Sequence, residues 1–162
     1  MKSDIEPAGI GGWLVLPALG LAISPIVEGV QIFRDILPSL SPDVWRTLSD
    51  PTSASYSPMW VPTIVFEATT SLLIFIFTLS LGYLFFFRKS ARVPRLFIAW
   101  LVCNLIVKII DRVLISCLPL TGGAPDFEIV SSLGRSITNA AIWIPYFIWS
   151  IRVKNTFTGD RS

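Results

Sequence analysis

The chain has 162 residues, 52% of them hydrophobic and 15% charged, with six Trp, eleven Phe, a formal net charge of +2 and a mean hydropathy of +0.67. A soluble domain of this length carries more charge and shorter apolar runs, so the composition points to a polytopic α-helical membrane protein in one domain, 1–162. It has no histidine and only two cysteines, which removes the commonest neutral-pH acid/base catalyst and leaves no disulfide framework, zinc ribbon or haem motif.

Residues 1–8 form a short polar tail carrying Lys2, Asp4 and Glu6. The first apolar run spans about 10–34 and is read as an uncleaved helix, since its basic flank is one Lys among acids and no cleavage site follows. Pro17 and Pro25 predict a kink or break in it. Ser24, Glu28, Gln31 and Asp35 fall on one polar stripe.

A proline-rich loop over 36–60 follows, the longest in the chain. Ser41-Pro42-Asp43 is a helix start, with Ser as cap and Pro at the first position, which would put Val44, Trp45 and Leu48 on one face of a short interfacial helix. An irregular loop anchored by Trp45 and Trp60 fits equally well.

The second span, about 61–87, carries Thr63, Glu67, Thr70 and Ser71 as another stripe. The connection after it holds Arg88, Lys89, Arg92 and Arg95 and no acid, so the positive-inside rule makes it cytoplasmic. With the lysines and arginines of both chain ends counted alongside, the N and C termini are expected inside.

The third span, about 95–117, is apolar yet carries Asn104, Lys108, Asp111 and Arg112 within about one third of its circumference. Ionisable groups cost about 2.5–3.5 kcal/mol each near the centre of a membrane span, so this face should turn inward. Cys103 and Cys117 lie about 21 Å apart along it and cannot bond to each other. A second outer loop, 118–131, leads into a fourth span, about 132–151, with Arg135 and Asn139 one turn apart near its start.

These placements gather Glu28, Glu67, Lys108, Asp111, Arg112 and Arg135 in the outer half of the bundle, with Asn104 and Asn139 beside them. Lys108 is expected to be the deepest. The balance of three acids and three bases fits a structural network that fixes helix register, a polar cavity open to the outside, or a face that docks on a partner's helix. No Walker motif, nucleophile-with-base pattern or internal repeat is present, and no cofactor or metal is expected.

At the two chain ends the residues resemble a known family. Gly9-Ile10-Gly11-Gly12-Trp13-Leu14, with Leu16-Pro17, Gly20-Leu21 and Ser24-Pro25, is similar to the opening of the DUF2569 family of small bacterial membrane proteins. Ile142-Trp143-Ile144-Pro145-Tyr146-Phe147, with Ser150, Arg152-Val153-Lys154 and Thr156-Phe157, is similar to its close, and Pro62, Phe66-Glu67 and the basic hinge before Pro94 match between them. The resemblance implies a four-span protein of the bacterial inner membrane and transfers no catalytic residue. It lends weight to Glu67, Arg135 and the segment 143–157.

The expected architecture is therefore an all-α, left-handed four-helix membrane bundle capped by the long first outer loop. The expected function is non-enzymatic, binding a lipid or a membrane-protein partner, with a homo-oligomer also open. The alternative is a small-solute or proton-linked transporter using the charged cluster. It would need a hydrated path to the cytoplasmic side, and no ionisable residue lies in 72–87 or 96–103 to line one. The small net charge makes no case for nucleic acid.

Overall fold

A computed structural model describes residues 9–116 and 127–158, with backbone alone over 127–130 and at 132. The polar tail at 1–8, Cys117 and most of the second outer loop lie outside the described residues. Every regular element among the described residues is helical.

Helix α1, Gly12–Ser39, opens with a 3-10 turn and passes through a π turn at Ile32–Ile36 before its last turn. The expected break does not occur. Pro17 sits near the helix start, where a missing N–H costs least, and Pro25 is carried inside. The π turn keeps the chain helical past Asp35, so α1 ends five residues beyond the expected 34. Helix α2, Pro42–Ser49, follows with Pro42 first and Ser41 extended, but the Ser41 side chain makes no cap bond. The loop after it is held by turns, among them Ser57 N–H to Leu48 O at 3.1 Å.

Helix α3, Trp60–Arg88, ends in a second π turn, and Lys89 then adopts a left-handed φ of 45° that stops it. Ser90 begins the tight hinge into α4, Val93–Ser116, its carbonyl accepting from Val93 N–H at 3.0 Å. Helix α5, Phe127–Trp149, starts five residues before the expected 132 and carries Pro145 inside. The chain breaks at Ser150, whose hydroxyl accepts from Val153 N–H at 3.4 Å to cap α6, Ile151–Thr156.

Three helices, α1, α3 and α4, are long and apolar enough to cross a membrane. Large apolar side chains cover their outer surface, Phe33 being 72% and Phe87 79% exposed, a pattern that water would not tolerate around a small protein.

The packing departs from a closed four-helix bundle. Helix α1 packs on α3, α3 on α4 and α4 on α5, while α1 and α5 make few direct contacts. The seam between the first and last long helices is open because both turn polar groups to it: Ser24, Glu28 and Gln31 from α1, and Arg135, Ser136 and Asn139 from α5. Such faces cannot interdigitate as apolar ridges do.

At the end that bears the described chain ends and the basic hinge, the seam closes. Leu14 and Leu21 of α1, Leu81 and Phe85 of α3, Phe97 and Leu101 of α4, Phe147 of α5 and Phe157 form one buried cluster. Phe97 and Phe147 stack at 4.1 Å and 7°, and Phe85 meets Phe157 at 5.0 Å. Aromatic pairs of this kind contribute about 0.5–1.5 kcal/mol beyond their buried area.

Candidate functional site

Three neighbouring cavities lie among the helices, the first of them along the open seam. The largest, about 360 Å³, lies between α1, α4 and α5, with Glu28, Asn104, Lys108, Arg135 and Asn139 on its wall beside apolar Ile23, Val27 and Leu101. A narrow one of about 90 Å³ connects past Glu28, Gln31, Ser71 and Lys108. The third, about 220 Å³, is lined by Asp35, Glu67, Asp111 and Lys108. Gln31 and Lys108 border all three, so these two side chains join the compartments.

Seven of the eight polar residues singled out in the sequence thus line this space. Arg112 lines none of the three. Among the described residues no opposite charges come within 4.0 Å of each other. The charges face a cavity instead of closing pairs. Lys108 still lies in electrostatic reach of both Glu28 and Asp111, and Glu67 in reach of Asp111 and Asp35.

The bottom of the site is set by residues that charge counting misses. Trp100 Nε1 donates to Thr78 Oγ1 at 2.8 Å, and Thr78 Oγ1 stands 2.9 Å from both Glu28 Oε1 and the Ile74 carbonyl, which share its one proton. Thr78 is fully buried, so this chain is shielded from exchange with water. It fixes one oxygen of Glu28, while the other, Oε2, is buried with no partner, as is Asp111 Oδ1. Asn104 Nδ2 donates to the carbonyl of Trp100 at 2.9 Å, which leaves its side-chain oxygen free to face the cavity.

This linkage corrects the expected depth order. Glu28 is level with Trp100, and Trp100 precedes Lys108 by two turns of α4, about 12 Å. Glu28, not Lys108, is the cavity-lining ionisable group nearest the closed end, because α1 continues to Ser39 and leaves Glu28 far from its end. The missed signal was Trp100 itself, an aromatic within a span and not at its rim.

The two ends of the chain also meet. Thr156 Oγ1 donates to Gly9 O at 3.2 Å. The Arg152 guanidinium lies on the glycine turn so closely that a Cβ at Gly11 would stand 2.7 Å from Nη1, and Gly12 takes a φ of +55°. The residues that carry the sequence resemblance at both termini are thereby one structural unit at the closed end.

Among the described residues no group of three or more acids or cysteines is placed to hold a metal ion. The arrangement offers hydrogen-bond donors, acceptors and charge around an open space. Comparison with curated proteins and with solved structures finds no match. A family model described as a protein of unknown function, DUF2569, matches residues 7–158, and the chain belongs to that family.

Proposed function

We propose that this is a non-enzymatic bacterial inner-membrane protein that binds an amphiphile through the seam between α1 and α5. In this reading α5 is a fourth span, both termini and the basic hinge are cytoplasmic, α2 lies at the outer interface, and the cavities open in the outer half of the membrane. The asymmetry of Lys and Arg supports that orientation.

The observation that carries the reading is the open seam. Its walls combine exposed apolar lips, Ile23 and Val27, with charged and amide groups held inside, so a polar group can enter while its hydrocarbon stays in lipid. The volume of about 360 Å³ suits one head group or a short chain segment. The aromatic cluster at the other end argues for binding over passage, since Phe85, Phe97, Phe147 and Phe157 stand between the cavities and the basic hinge.

Gly20 supplies the test. It lines the largest cavity, and a Cβ there would meet nothing within 4 Å. Gly20→Phe has room at its Cβ and should project its ring into the deep end. Native mass spectrometry of protein extracted in mild detergent should show a bound lipid on the wild type and its loss from Gly20→Phe at unchanged melting temperature. Equal retention by both proteins would place the lipid elsewhere and refute the reading.

A further inference from the structure

The cavities are ordered by chemistry along the bundle. At the deep end the wall is apolar, formed by Gly20, Ile23 and Leu101. Seven residues further along α4, about 10 Å, lies Lys108, with Arg135 on the facing helix. One turn beyond, about 5 Å, Asp111 joins Asp35 and Glu67 in a compartment where, among the described residues, Lys108 is the one cation on the wall. Apart from Glu28, whose carboxyl sits at the deep end against Thr78, the environments run apolar, then positive, then negative.

We infer that the site selects a zwitterionic amphiphile whose acyl chain is followed by a phosphate ester and then by a primary ammonium, as in phosphatidylethanolamine. This inference rests on the amphiphile reading above and names its ligand class. The acyl segment lies against Gly20, Ile23 and Leu101. The phosphate meets Lys108 and Arg135, whose N–H groups make charge-assisted hydrogen bonds to phosphate oxygens. The ammonium meets the carboxyls of Glu67, Asp111 and Asp35.

Charge matching supports the order. Lys108 and Arg135 are the cations on the described wall of the largest cavity, with Glu28 about two turns deeper at the level of Trp100, so they are the groups a phosphodiester would meet. The next level has three carboxyls, and Lys108, once set against the phosphate, does not also serve them, so an ammonium from the ligand is what this wall lacks. An anionic lipid with a neutral head would satisfy the first level and strand the second, where an uncompensated charge in a low dielectric is costly. The two-carbon link between phosphate and amine spans about one helical turn, the separation of Lys108 from Asp111. A lipid in the outer leaflet also presents chain, phosphate and ammonium in this direction, so it enters through the seam without inverting.

The test is a titration of the full chain in detergent, followed by native mass spectrometry, with short-chain phosphatidylethanolamine, short-chain phosphatidylglycerol and soluble phosphoethanolamine. The ethanolamine lipid should bind about tenfold more tightly than the glycerol lipid, and the soluble head group more weakly than either. Glu67→Gln combined with Asp111→Asn should remove the preference between the lipids, while Lys108→Met weakens both, with melting temperature reporting folding. The wild-type comparison requires no variant to fold. Equal binding of the two lipids would overturn this inference and leave the amphiphile reading standing; binding of neither would overturn both. Soluble phosphoethanolamine matching the lipid would show a head-group site without use of the seam, against the lipid as ligand.

Discussion

Thr78 Oγ1 stands 2.9 Å from Glu28 Oε1 and 2.8 Å from Trp100 Nε1, so one buried hydroxyl joins α1, α3 and α4 beneath the cavities. Replacing it by Val keeps the volume and strands both partners. Hydrogen bonds between membrane helices contribute about 0.6–1.7 kcal/mol each, so Thr78→Val should cost about 1–3 kcal/mol in detergent unfolding. Thr78→Ser should retain most of the stability. A Val variant as stable as wild type would mean that the bridge carries no weight.

The glycine turn at the closed end responds differently at neighbouring positions. At Gly12 the φ of +55° makes any side chain strained, and Gly12→Ala should cost about 1–2 kcal/mol. At Gly11 the new Cβ meets only the movable tip of Arg152, so Gly11→Ala should change stability by less while displacing the guanidinium. Hydrogen exchange over 151–156 should rise in the Gly11 variant. Unchanged exchange would show that Arg152 does not hold α6 in place.

Phe147 is 2% exposed and stacks on Phe97. Phe→Ala in a water-soluble core costs about 3–5 kcal/mol; in a bilayer, where the transfer part shrinks, Phe147→Ala should cost about 2–3 kcal/mol. It also removes part of the barrier between cavity and basic hinge. Asn104→Cys, in a background with both native cysteines replaced by Ser, should react with an impermeant maleimide from the outer side alone, and from both sides once Phe147→Ala is added. Two-sided labelling without that change would favour a carrier.

Asp50, exposed in the first loop, accepts from Thr52 N–H at 2.9 Å and from Thr52 Oγ1 at 2.7 Å, and these bonds hold its carboxyl below the usual range. A lowered folded pKa means that the ionised form supports the turn. The support is complete above the ordinary carboxylate pKa of about 3.9 and is lost as pH falls through the lower folded value. Exchange of the Thr52 amide should therefore be protected equally from pH 7 to about 5, after correction for intrinsic rates, and lose protection below about 4. Asp50→Asn should reduce that protection at neutral pH.

Much of this arrangement is legible in the chain. Long apolar runs locate α1, α3 and α4, and the polar stripes on them mark Glu28, Glu67, Asn104, Lys108 and Asp111 among the residues that line the cavities, because ionisable groups in a span have few places to turn. The start of α2 is legible from Ser41-Pro42. The open seam is not, since whether α1 meets α5 depends on how two polar faces pack, and periodicity is silent on partners. The continuity of α1 through Pro25 was hidden for a related reason: the surrounding helix tolerates the lost bond. The depth of Glu28 followed only from its contact with Thr78, fifty positions away.

The central claim is that hydrocarbon from a lipid reaches the cavity wall. Trp100 lines that wall, and its fluorescence can be isolated as the difference between wild type and Trp100→Phe. In vesicles containing lipids brominated along their chains, this component should be quenched, and Gly20→Phe should protect it. A Trp100 component that brominated chains leave unquenched, or quench equally in Gly20→Phe, would contradict the account.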